Sequence, residues 1–132
     1  MTEWLALPDD RLRAGALVGL AAVFAVAGTL HFARPRMFEA IVPPSLPAPR
    51  ALVAVSGAAE VLGGLGLLVG PTRVLAAWGL IALLLAVFPA NVFMARQAHR
   101  FRSLAPPWAL WARLPLQPVL MAVVAWAAGL VG

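Results

Sequence analysis

Four long apolar stretches separated by short polar connections organise this chain. They run over about 14–33, 51–69, 74–94 and 108–131. Each approaches the roughly 20 residues that a helix needs to cross a bilayer core. None keeps a period-2 alternation, which disfavours a transmembrane β-barrel. A helix satisfies its own backbone groups in lipid, so the pattern predicts an all-α, integral membrane, antiparallel four-helix bundle. All 132 residues are read as a single transmembrane domain.

The connections differ in kind. Gly70-Pro71-Thr72-Arg73 is a tight turn and makes a hairpin of the second and third spans. The connection from Arg34 to Arg50 is longer and rich in proline. Within it, Met37, Phe38, Ile41 and Val42 fit one face of a short interfacial helix, which Pro43-Pro44 then stops. The third connection, Ala95 to Pro107, is basic, and Pro106-Pro107 opens the fourth span. The second span is rich in glycine and alanine. Small residues let membrane helices approach closely, so this span is expected at the centre of the bundle, touching the other three. A secretory signal peptide is the competing reading of the first span, with Ala25-Val26-Ala27 as the cleavage site. Glu3, Asp9 and Asp10 ahead of it, and the apolar run beyond it, argue against that.

Composition supports lipid as the solvent. Hydrophobic residues make up 63% and charged residues 11%, against roughly 25% charge in a soluble domain. The net charge is +5, with arginine and no lysine. Nucleic-acid binding would need a contiguous basic face, whereas these arginines flank apolar runs and read as membrane anchors. The arginine-only usage suggests a bacterial source, hence a bacterial cytoplasmic membrane. The absence of cysteine excludes disulfides, thiol redox chemistry and iron–sulfur clusters. With two histidines and no clustered acids, no metal site is expected. A bis-His haem would need a partner for His31, and His99 lies outside the spans.

Orientation follows from arginine placement. The first and third connections share one side, B, and carry Arg34, Arg36, Arg50, Arg96, Arg100 and Arg102; side A carries Arg11, Arg13 and Arg73. The positive-inside rule puts side B in the cytoplasm. Tryptophans fit the two interfaces, with Trp108 and Trp111 toward side B, Trp78 and Trp126 toward side A, and Trp4 as an N-terminal anchor.

Polar groups inside the spans are the functional candidates, because each is costly in hydrocarbon. They are Thr29, His31, Ser56, Glu60, Asn91, Arg113 and Gln117. Counted from the span ends, all fall in the side-B half. His31 and Asn91 lie near its boundary, Ser56 and Arg113 deeper, and Glu60 and Gln117 about nine residues in, roughly 14 Å at the helical rise. Ser56 and Glu60 are four apart, as are Arg113 and Gln117, so each pair shares a helix face. Glu60 is expected to meet Arg113 or His31. Pro89, Pro115 and Pro118 free backbone carbonyls at the same depth. Two readings stand: a pocket open toward side B that binds a small polar or amphipathic ligand at His31, Ser56, Glu60, Asn91, Arg113 and Gln117, or a polar network that fixes helix register.

The ordered set Gly28-x-x-His31-Phe32, Phe38-x-x-Ile41-Val42-Pro43, Leu46-Pro47, Ser56-Gly57-x-x-Glu60, Thr72-Arg73, Phe88-Pro89-Ala90-Asn91 and Arg113-Leu114-Pro115-Leu116-Gln117 resembles the DoxX-like family of small bacterial membrane proteins. The resemblance covers about residues 15 to 126. It implies a four-helix membrane bundle and an association with quinone-linked oxidoreductases. A quinone-like or lipid-like ligand and a membrane oxidoreductase partner are the corresponding expectations. The residues that carry it include His31, Glu60, Asn91, Arg113 and Gln117. No flavin, haem or iron–sulfur motif accompanies them. Two other functions remain open: an enzyme doing acid–base chemistry through Glu60 on a lipid-soluble substrate, and a small transporter or structural subunit.

Overall fold

The computed structural model describes residues 7–131; the expected Trp4 anchor lies outside them. Helices α1 (Arg11–Ala33), α2 (Pro35–Glu39), α3 (Pro49–Leu68), α4 (Arg73–Arg96) and α5 (Pro107–Ala127) follow one another, with 3₁₀ turns at Gly70–Thr72 and Ala98–Phe101. Among the described residues there is no strand. Helices α1, α3, α4 and α5 are each long and apolar enough to cross a membrane.

Local chemistry explains the boundaries. The Asp10 carboxylate accepts from the Leu12 N–H and caps α1. Prolines occupy the first turn of α2, α3 and α5, where a missing N–H costs nothing. The fourth span ends at Ala127, short of the expected 131. Gly129 at φ +80° turns the chain back, the Leu130 N–H reaching the Ala125 carbonyl and the Gly129 N–H that of Trp126. At the other end of the chain α1 runs unbroken through Ala25–Ala27.

The four long helices form an antiparallel ring in the order α1, α3, α4, α5 and back to α1. Helix α3 is therefore not central: it packs on α1 and α4, and shares no close backbone contact with α5 across the ring. The expectation of a central helix failed because its small residues serve two neighbours only, Gly57 and Gly64 facing α1 and Gly63 and Gly66 facing Leu80 and Ala76 of α4. A Cβ on Gly28 would lie 2.5 Å from the Gly57 carbonyl oxygen, and one on Gly57 would lie 2.7 Å from His31 Cβ. Gly64 lies under Phe24 and the Ala21 carbonyl in the same interface. Backbones this close allow dense packing between α1 and α3.

The ring closes on itself at one end. Leu17, Leu20 and Phe24 of α1 pack with Leu67 of α3, Ala77, Leu80 and Leu84 of α4, and Val124 and Ala127 of α5. This core fills the side-A half. On side B a smaller cluster of Met94, Ala95, Phe101 and Leu110 locks the α4–α5 connection. Between the two lies unfilled space.

Candidate functional site

That space is a cavity of about 630 Å³, within the roughly 300–1,000 Å³ usual for small-molecule sites. His31 comes from α1, Ser56 and Glu60 from α3, Asn91 from α4, and Arg113 and Gln117 from α5; all six line it. Depth counted along the chain had placed them all in the side-B half. The ring turns them toward one another. Thr29 does not join them: its hydroxyl donates to the Ala25 carbonyl one turn back, on an exposed face. Apolar side chains such as Phe24, Val53, Leu84 and Leu120 form the rest of the wall.

The polar groups fall into three sets. On the α4–α5 side, the Asn91 amide donates to the Gln117 side-chain oxygen, and the Gln117 amide donates to the Leu84 carbonyl. Gln117 is 5% exposed, and this chain satisfies both ends of its amide. Leu84 lies beside Leu85, whose carbonyl Pro89 leaves without its usual helical donor.

On the α1–α3 side, His31 Nδ1 lies 2.7 Å from the Ala27 carbonyl and 3.3 Å from Glu60 Oε2. A carbonyl oxygen only accepts, so Nδ1 carries the proton there. Glu60 thus meets His31, as expected. It forms no ion pair with Arg113 among the described residues. Apart from the His31 contact, Glu60 Oε2 is sealed from solvent with no hydrogen-bond donor. The approach of α1 to α3 at Gly57 is what sets this spacing, since a side chain there would strike His31 Cβ.

Arg113 forms the third set. Its Nη1 donates to Met94 Sδ at 3.6 Å, and the residue is exposed at the cavity edge. A thioether is a weak acceptor, so most of this guanidinium's donor capacity is unused by the described residues.

A lid covers the side-B end. Phe38 of α2 stacks on the His31 ring at 3.9 Å and 21°. Ile41, Val42, Pro43 and Leu46 line the cavity behind it. Phe38 was expected on one face of a short interfacial helix; its stacking on His31 was missed. The available signal was the Phe38-x-x-Ile41-Val42 spacing, which puts an aromatic ring on the same face as the lid's aliphatic residues. His99 sits exposed in the Ala98–Phe101 turn, away from the cavity lining. Among the described residues no group of three or more His, Asp or Glu side chains is arranged to hold a metal.

The cavity has a side opening. At the side-A end α1 and α5 are clasped: Arg13 Nε donates to the Trp126 carbonyl at 3.1 Å, and its guanidinium lies 5.4 Å from the Trp126 ring centre. Toward side B the same two helices present lining residues that are also exposed on the outer surface: Val23 at 56%, Leu116 at 60% and Val119 at 57%. The wall is thus thinnest between α1 and α5.

These features define a class: a four-helix protein with a lidded, amphipathic cavity at one end. The chain belongs to a family described as a domain of unknown function, DUF8561, whose model matches residues 20–130. No curated protein and no solved structure matches it.

Proposed function

We propose that this chain is an integral membrane protein which binds a small amphipathic molecule, of quinone-like or lipid-like character, in the cavity between its four long helices. One observation carries the reading. Six polar side chains from four helices converge on a single cavity whose other walls are apolar. A network that served only helix register would close on itself, as Asn91 and Gln117 do. Glu60 and Arg113 instead border the space with their hydrogen-bonding capacity largely unused.

The outer surface supports the membrane assignment. Leu12, Val18, Val26, Val55, Leu62, Leu75, Leu85 and Val119 all stand more than half exposed. A water-soluble monomer rarely shows so extensive an apolar surface. The arginine-only basic residues suit a bacterial cytoplasmic membrane. The resemblance to the DoxX-like family supports an accessory role beside a membrane redox enzyme, with the bound molecule exchanged between bilayer and partner. A second reading has its own observation: the Glu60–His31 contact is a carboxylate–imidazole pair suited to acid–base chemistry on a lipid-soluble substrate. Transport through both leaflets fits less well, because the side-A half is filled by packed side chains.

The test is native mass spectrometry of protein released gently into mild detergent. A co-purified small molecule with an apolar portion is expected, at one per chain. Ala27→Trp, which projects an indole from the cavity wall, should displace it. Retention of no small molecule from any native membrane would remove the binding reading.

A further inference from the structure

We infer that the cavity recognises a neutral hydroxyl head, bound at the Glu60–His31 pair, on a single-tailed amphiphile whose tail leaves between α1 and α5. The inference rests on the binding reading above and specifies its ligand.

The head group follows from what the lining leaves unsatisfied. Glu60 accepts no hydrogen bond from the described residues, and Oε2 is a buried oxygen with no donor. Its side chain keeps 16% exposure, and it lies on the cavity wall. His31 commits its Nδ1 proton to the Ala27 carbonyl, with Glu60 Oε2 3.3 Å away but not bonded, and no described residue bonds its Nε2. Buried polar groups are ordinarily paired, and an unmet acceptor is costly in an apolar surround. Nδ1 carries the proton, so Nε2 of the neutral ring accepts, and Glu60 and Nε2 both call for a donor. A hydroxyl supplies one; an ether or ketone has none.

Charge excludes the ionic alternatives. Glu60 and Arg113 are the formal charges on the lining, and they sum to zero. Protonation of His31 makes the sum positive. An ammonium head would find no net negative charge to offset its desolvation, and a carboxylate head at this pair would lie against Glu60. A neutral hydroxyl carries neither penalty.

The tail follows from the shape. The side-A end is closed by the packed core, and the side-B end is covered by Phe38 and the residues behind it. The wall between α1 and α5 is lined by Val23, Leu116 and Val119, which face the cavity and the outside together. A hydrocarbon chain there stays in apolar surroundings from the head outward, and the ligand enters from the bilayer, not from water.

The experiment compares four probes with the same alkyl chain. 1-Dodecanol, dodecyl methyl ether, dodecylamine and dodecanoic acid are added separately to ligand-depleted protein, and bound species are counted by native mass spectrometry. Retention of the alcohol about tenfold above the ether is expected, the value of one hydrogen bond to a carboxylate. Amine and acid should be held no better than the ether. Glu60→Leu, checked for its helix content, should bring alcohol and ether to equal retention. Val119→Trp, which fills the side opening, should weaken the alcohol without touching Glu60. Equal retention of alcohol and ether by the wild-type protein overturns the inference, as does preference for the acid or amine, or failure to retain the alcohol. None of these depends on the variants folding. A co-purified native molecule alongside any of them would leave the binding reading standing and remove only the hydroxyl head.

Discussion

Gly28 and Gly57 show how much of this fold rests on the absence of side chains. The two backbones meet so closely that a Cβ at Gly28 would sit 2.5 Å from a carbonyl oxygen and 2.9 Å from the Val61 nitrogen, backbone atoms that cannot swing aside. Gly28→Ala should therefore destabilise the protein by about 1–3 kcal/mol, the usual cost of overpacking. It should also displace His31 from Glu60, since Gly57 lies against His31 Cβ. Gly19→Ala is the control, because a Cβ there meets nothing within 4 Å. Thermal unfolding in one detergent should separate the two. Gln117 makes the complementary case for a polar residue. Gln117→Leu keeps the volume but strands the Asn91 amide and the Leu84 carbonyl. A loss of about 1–3 kcal/mol is expected for those unmet partners. Loss of fold stability with full ligand retention would assign Gln117 to architecture and leave recognition to Glu60 and His31.

At the scale of elements, the clasp between α1 and α5 carries its own prediction. Arg13 donates to a carbonyl at the C-terminal end of α5 and covers the Trp126 ring. Arg13→Gln should lower stability by about 1–2 kcal/mol, the sum of a charged hydrogen bond and a cation–π contact. It should also speed ligand exchange, because the clasp is what closes the α1–α5 seam that opens toward side B. The spans themselves were legible in the sequence, since length and unbroken apolarity suffice to set a long helix. So was the placement of His31, Ser56, Glu60, Asn91, Arg113 and Gln117 in the side-B half, because depth along parallel axes is a matter of counting residues. Azimuth was not legible. The glycines of α3 announce a close approach without saying to which neighbour, so α3 was expected at the centre and stands instead in a ring, away from α5. The Phe38–His31 stack was missed for a related reason: it depends on where a short helix folds back, which no periodicity within α1 or α2 records.

For the whole molecule, orientation is argued from charge, and the structure shows what the arginines touch. A positive-inside count treats every arginine alike. Two of the three on side A have structural employment. Arg13 bonds the Trp126 carbonyl near the end of α5, and Arg73 Nε donates to the Leu67 carbonyl at 2.8 Å, near the end of α3. Both sit where the partial negative charge of a helix C-terminus attracts a cation, so the fold accounts for them without any topological signal. On side B, Arg34, Arg36, Arg50, Arg96, Arg100 and Arg102 are all exposed; Arg34 and Arg96 stand at the C-terminal ends of α1 and α4, and Arg100 lies 5.9 Å from the Phe93 ring centre. Helix C-termini thus hold arginines on both sides, and the expectation of a cytoplasmic side B rests on the count of six against three. The chain has no cysteine, so single-cysteine variants read this out cleanly. Ser103→Cys, on the exposed third connection, should resist a membrane-impermeant maleimide added to intact cells and react after lysis. Asp9→Cys, exposed ahead of α1, should react in intact cells. The reverse pattern would invert the topology and put the cavity's lidded end outside. Reaction of both in intact cells, with the membrane shown to be sealed, would mean that the four helices do not cross it in this register.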